Sequence, residues 1–369
     1  MVSGAYPANH RQWLYAVLAS ILLLCVLHPV AAQRLPVGDL LEAAEAFADP
    51  PAEWDYQFPA DHAAHPEQFG EYWLIVGRVH TPEHSILGFQ LAFYRLSVAT
   101  ETVHRASRWR TQAVYRAQLV LDSAQGRVTE ERYSRDALGL SGAENYSVWL
   151  EDWSLVFVPE CECFHLHAVL EDQRLSLTLE AALAPRLPIT GVPGLPAAQP
   201  GSHGYWWPAL HAHGQWQIGA QHHTVTGEAV FEQVWGRRLP IAQGQLMLNR
   251  LWLMPDEGSA LRCMLLQRRG GGGRPLGECL VWSDSAGLAW QADIDRLRPL
   301  PSGGRGSAPV WLLERPAQSL RVEFNPMHSY SSQKASGGWL PVWSGLLSGY
   351  GEQAELVQQG WGWLESTQP

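Results

Sequence analysis

The stretch "FHLHAVLEDQRLSLTLEA", residues 164–181, constrains the fold more tightly than any other part of the chain. Phe164, Leu166, Ala168 and Leu170 alternate with polar neighbours. A turn follows near 171–174, and Leu175, Leu177 and Leu179 then alternate again. A period of two puts one apolar face on a β-strand and spreads around a helix without forming a stripe. The same rhythm runs through "GYWWPALHAHGQWQIG", "GEAVFEQVWG", "GQLMLNRLWLM", "VWLLERPAQSLRVEF" and "VQQGWGWLES". The runs "EYWLIVGRV" and "SILGFQLAFYRL", dominated by branched and aromatic residues, also read as strands. One helix is expected, in "VGDLLEAAEAFA" (37–48), with Asp39 as its cap. The chain therefore reads as all-β, and each half holds enough short strands for its own antiparallel barrel.

The first 32 residues read as a targeting segment. Arg11 precedes the apolar "WLYAVLASILLLCVLHPVAA", and Val30 and Ala32 are small enough for signal cleavage before Gln33. The same stretch is long enough to serve instead as an uncleaved anchor. The expected location is the periplasm or the secreted fraction. Removing residues 1–32 leaves 369 − 32 = 337 residues and takes away one arginine and no acid, so the net charge moves from −10 to −10 − 1 = −11. That balance disfavours nucleic acid as a partner. In "LRCMLLQRRGGGGRPLGECLVW", folding about residue 271 sets Cys263 opposite Cys279, within reach of a disulfide; two free buried thiols are the alternative.

Two loops break the strand pattern. Residues 184–204 are rich in Pro and Gly and suit a crossing between sheets or a lid, and residues 299–309 form a smaller loop. There is no nucleophile elbow, dinucleotide fingerprint or phosphate loop, so no cofactor is implied. Cys161, Cys163, His165 and His167 share strand parity, but six residue steps span roughly 20 Å, too far for one ion to collect all four. An outward polar face is the simpler reading, and no metal is assigned.

The 18 tryptophans and the acids beside them carry the functional expectation. Clusters such as Tyr72-Trp73, Tyr205-Trp206-Trp207 and Trp235 could line an apolar cavity in a closed barrel, fill a solid core, or stack on sugars. Parity puts Glu232 on the face opposite Phe231 and Trp235. If that face lines an apolar cavity, burial would keep its carboxyl protonated and able to donate a proton; if it looks outward, Glu232 is an ordinary solvated strand acid, the simpler reading for a single glutamate.

Together "FPADHAAHPEQFGEYWLIVGRV", "LGFQLAFYRL", "YWWPAL", "GEAVFEQVWG" and "GWGWLES" resemble the AttH and carotenoid 1,2-hydratase (hydroxyneurosporene synthase) family. The likeness runs from about Trp54 to Glu365. It rests most on a pattern near D-H-x-x-H-P followed by E-W-W-Y-V-x-G, matched at Asp61, His62, His65, Pro66, Glu71, Trp73 and Gly77. Tyr72 stands in place of a Trp and Leu74 in place of a Tyr. A second pattern near D-H-x-W-G is matched at Trp235 and Gly236, with Glu232 in place of the aspartate and Gln233 in place of the histidine.

The resemblance implies two consecutive lipocalin-like antiparallel β-barrels, at 54–222 and 223–367, joined near 221–227. It also implies a hydrophobic small molecule or lipid as partner. An exported protein of this kind would bind its ligand in the cell envelope through Tyr72, Trp73, Tyr205, Trp206 and Trp235, beside an envelope lipid-transport permease. The alternative is a cofactor-free hydratase acting on an apolar alkene. There Glu232 would be the general acid, with Glu71 or His65 polarising water.

Overall fold

Strands β1 (Gly70–His80), β2 (Ile86–Ser97), β3 (Ala113–Ser123) and β4 (Gly126–Arg135) open the chain's first sheet as a run of antiparallel neighbours. Short strands β5 (Ser141–Glu144) and β6 (Ser147–Leu150) follow, then β7 (Trp153–Val158), β8 (Cys163–Leu170) and β9 (Gln173–Ala181). The sheet is completed by β10 (Leu187–Thr190) and by the long pair β11 (Ser202–Ile218) and β12 (Gln221–Gly236). Its strand order is β4-β3-β2-β1-β12-β11-β9-β8-β7-β6-β5, with β10 paired to β11. The computed structural model describes residues 44–98, 111–181, 186–191, 200–239, 246–255, 259–268, 272–273, 275–283, 287–293, 296–299, 311–315, 320–326, 343–351 and 360–366.

This sheet curls until its two ends meet. Arg132 on β4 lies over the Trp153 ring at 4.1 Å and donates to the Val169 carbonyl on β8. Curling gives the strands different exposure. On β7 and β9, buried and half-exposed positions alternate, because one face looks into the barrel and the other into water. By contrast β1 is buried at nearly every position, and so is the second half of β12. Their outer face is covered by a second sheet.

That sheet holds β13 (Leu246–Pro255), β14 (Ser259–Arg268), β15 (Leu276–Ser283), β16 (Gly287–Asp293) and β17 (Arg296–Pro299). It continues with β18 (Trp311–Arg315), β19 (Leu320–Pro326), β20 (Trp343–Gly351) and β21 (Gly360–Ser366), in the order β16-β15-β14-β13-β21-β20-β19-β18-β17. Cross-links to the first sheet are polar: Gln90 donates to Glu365 at 2.5 Å in a buried bond, and part-buried bonds run from Arg250 to the Tyr94 hydroxyl at 3.0 Å and from Trp361 to Glu228 at 2.8 Å.

The all-β expectation holds, with one correction to the boundary. The expected junction at 221–227 lies inside β12, which pairs with β11 from Gln221 and with β1 from Thr226, so the first sheet runs on to Gly236. Gly227 permits this continuity, since a Cβ there would sit 2.0 Å from the Arg78 carbonyl oxygen. Part of the loop expected at 184–204 is also regular, as β10 pairs with β11. Cys263 and Cys279 face each other across β14 and β15 and are disulfide-bonded, as the mirror symmetry of that hairpin predicts. Cys161 and Cys163 form a second bridge, which takes both out of the expected polar face. Residues 1–32, most of the candidate helix at 37–48 and the loop at 300–309 lie outside the described residues.

Candidate functional site

β1 and β12 form the layer common to both cores, and their register sorts the candidate residues. Glu71 pairs with Trp235 and Trp73 with Gln233, while Tyr72 pairs with Val234 and Leu74 with Glu232. Directly paired residues share a face. Glu71, Trp73, Gln233 and Trp235 therefore point into the first barrel. Tyr72 and Glu232 point the other way, toward the second sheet. The two acids occupy opposite sides of one sheet.

On the inner face Glu71 is fully buried and takes four hydrogen bonds. His65 Nδ1 (2.7 Å) and Gln233 Nε2 (2.9 Å) donate to one oxygen, and the His65 backbone N–H (2.8 Å) and Arg95 (3.3 Å) donate to the other. Burial alone would push this carboxyl up, but His65 and Arg95 outweigh it and hold it below its ordinary value. His65 stacks on Trp235 with centroids 3.7 Å apart and reaches Asp61 with its second nitrogen at 3.4 Å. Burial would lower its pKa, yet Glu71 and Asp61 raise it to about 9. The pair is thus an imidazolium and a carboxylate locked together.

From Glu71 the network continues through Gln233. Its amide N–H groups donate to Glu71 and to the Ala63 carbonyl, and its oxygen accepts from the Tyr205 hydroxyl at 3.0 Å. Tyr205 in turn meets His62 Nδ1 at 2.5 Å. Rings of Phe157 and Trp207 lie against His62, at centroid distances of 3.9 Å and 5.6 Å. A cavity of about 10 Å³ lies beside it, walled by Trp73, Leu155 and Phe164.

On the outer face Glu232 meets β14. Arg262 donates to both carboxylate oxygens, Nε at 2.6 Å and Nη2 at 3.0 Å; Trp252 (3.3 Å) and the Tyr72 hydroxyl add further hydrogen bonds. Both charged groups are fully buried. Burial favours the protonated acid, but the bidentate Arg262 and nearby Arg250 prevail and keep Glu232 below its ordinary value. Neither sequence reading of Glu232 holds: its face is neither solvated nor the wall of an apolar cavity that would keep the acid protonated, because it is buried against a guanidinium.

The ligand-binding candidates divide in the same way. Trp73, Tyr205 and Trp235 pack inside the barrel, whereas Tyr72 stands beside Glu232, and Trp206 pairs with Glu232 in register on that same face. All five are buried, and Tyr72, Tyr205 and Trp235 pack against other rings. Arg95, Arg262, Gln233 and His62 emerge as functional-site residues without having been assigned a role from sequence. A signal existed for the arginines. "FYRLS", "LNRLW" and "ALRCM" each place one cation in an apolar strand, and such a cation is buried only with a partner. Among the described residues, Cys161, Cys163 and His165 form the one group with metal-ligand spacing, and there the two thiols are tied to each other.

Taken together, the structure is a two-sheet lipocalin-like β protein whose shared layer carries a charge-compensated acid on each face. The chain belongs to the AttH-like family, whose model matches residues 49–368. A crystal structure of an AttH protein from Nitrosomonas europaea is similar, with TM-score 0.71, 18% identity, and coverage of 87% of this chain and 99% of that one. Kievitone hydratase from Nectria haematococca is similar at TM-score 0.58 and 9% identity, covering 86% and 97% of the two chains. CghA, solved with Sch210972, follows at TM-score 0.52 and 11% identity, covering 87% and 96%. At these identities the likeness is one of fold. No curated protein matches.

Two outcomes follow for the buried charges. Replacing Arg262 with Met strands Glu232 and should lower unfolding free energy by about 3–5 kcal/mol, most of it restored in the Glu232→Gln/Arg262→Met double variant, as urea denaturation would read. The second concerns alkaline pH. His65 titrates above its ordinary 6.5 in the folded chain, so its contribution is fully present below about 6.5 and lost as pH rises through about 9. Stability of the wild type should fall across that window, and the His65→Gln variant should lack that fall.

Proposed function

We propose that this chain is an exported, non-catalytic AttH-like protein that binds a hydrophobic small molecule or lipid in the cell envelope. The observation that carries this reading is the bidentate Glu232–Arg262 pair. A hydratase of the kind the family resemblance implies needs a neutral acid beside the alkene, and a carboxylate held by a guanidinium has no proton to give. His65 and Glu71 are equally committed to each other. What remains, among the described residues, is a small cavity at the barrel rim walled mainly by Trp73, Leu155, Phe164 and Val148, a lining suited to recognition of an apolar group. The apolar segment at 13–32 supports export, with an envelope lipid-transport permease as the partner such a carrier would serve.

The second reading, a cofactor-free hydratase, draws on the fold likeness to kievitone hydratase. It requires a proton donor other than Glu232.

Native mass spectrometry of the protein produced by export should show an apolar molecule co-purifying at about one per chain, lost on mild organic extraction. A ligand-free protein that also takes up no added lipid would contradict the binding reading. Water-isotope incorporation into an added isoprenoid alkene, undiminished in the Glu232→Gln variant, would favour the second reading through another acid.

A further inference from the structure

The hydrogen bonds around Gln233 have a fixed direction, and that direction determines the state of a histidine two links away. Both Gln233 N–H groups face oxygens that can only accept, the Glu71 carboxylate and the Ala63 carbonyl, each at 2.9 Å. Its amide oxygen must then be the acceptor toward Tyr205, and the Tyr205 hydroxyl must donate. Burial keeps that phenol protonated. Having given its proton to Gln233, the Tyr205 oxygen accepts from His62, so the shared proton sits on His62 Nδ1. Burial, helped by Arg186, pulls the His62 pKa down to about 3, so the ring is neutral. Nε2 therefore carries a bare lone pair.

Among the described residues that lone pair has no partner: His62 is 3% exposed and its Nε2 meets no donor there. Phe157 and Trp207 cover the ring, Tyr205 takes the Nδ1 edge, and His62 itself lines the cavity of about 10 Å³. An unpaired acceptor held in an apolar wall is costly unless something donates to it. The cavity volume suits one hydroxyl-sized group, and its rim is the turn of the β5–β6 hairpin, with Asn145 exposed and Tyr146 half-buried.

We propose that His62 Nε2 is the hydrogen-bond acceptor of a small-molecule site at the rim of the first barrel, and that its ligand is an apolar molecule bearing a hydroxyl donor, of the phenol class. The hydroxyl enters the cavity against Trp73 and Phe164, and the ring that bears it lies along Tyr146 and Asn145. The proposal rests on the binding reading above and names the chemistry that site selects. Glu71, Gln233 and Tyr205 act as positioning residues, holding His62 in the tautomer that can accept.

The test uses the full chain labelled with ¹⁵N, read by long-range proton–nitrogen correlation. His62 should show the Nδ1–H form at neutral pH. Phenol should shift the unprotonated Nε2 signal and bind up to about tenfold more tightly than anisole, which has the same ring and no donor. The Tyr205→Phe variant should release the tautomer preference while remaining folded, and His62→Phe should abolish the preference for phenol over anisole. An Nε2–H tautomer in the wild type, or an Nε2 signal that phenol leaves unmoved because water alone occupies the cavity, would overturn the proposal. If a co-purified lipid is present in that second case, the binding reading stands and only the His62 assignment fails. If no apolar molecule binds and His62 is in the Nε2–H form, both fall.

Discussion

The Glu232–Arg262 pair is the interaction on which the arrangement of the two sheets depends. Each partner comes from a different sheet, β12 and β14, and both are buried. Moving two charges out of water costs several kcal/mol each, and their attraction offsets this only when the geometry is good and the remaining lone pairs are filled. Here the guanidinium fork meets both carboxylate oxygens, and Trp252 and Tyr72 supply the remaining donors. A shift of one sheet against the other would separate charges that have no water to replace the lost partner. A second buried set ties the sheets by a hydrogen bond rather than a charge pair: Arg250 and Glu365 are neighbours within the second sheet, and Gln90 of the first donates to Glu365.

This constraint divides the shared layer into two kinds of surface. The outer face of β1 and β12 is occupied by matched charges and indoles, and its acid is held by Arg262. The inner face also holds an ionised acid, but the hydrogen bonds leaving Glu71 run through Gln233 and Tyr205 and end at His62, beside a cavity. Charge is thus confined to the base of the network, and what reaches the cavity is a neutral acceptor in an aromatic wall. In the proposed reading, such a surface recognises an apolar molecule rather than donating a proton.

Much of the fold was legible in sequence because strand periodicity is local. The alternation over 164–181 appears as β8 and β9, and the mirrored spacing of Cys263 and Cys279 appears as a bridged hairpin. The branched and aromatic run at 72–76 marked β1 as a strand, though not that both its faces are buried, and the pattern at 61–77 marked the family. The site was less legible, for a physical reason. Parity correctly separated Glu232 from Phe231 and Trp235, but the sign of its pKa shift depends on Arg262, on another strand of another sheet. No local pattern links those two positions. Gln233, read as a lost histidine, is instead the residue that joins Glu71 to Tyr205. The boundary expected at 221–227 failed because strand length, set by pairing with β11 and β1, is not encoded by turn residues alone.

The central claim is that Glu232 is an ionised structural partner of Arg262 and carries no proton for chemistry. Infrared difference spectroscopy of glutamate-¹³C-labelled protein, wild type against Glu232→Gln, reads that directly. At neutral pH the difference should contain a carboxylate band and no protonated carbonyl stretch. A protonated carbonyl band that the substitution removes would contradict the account.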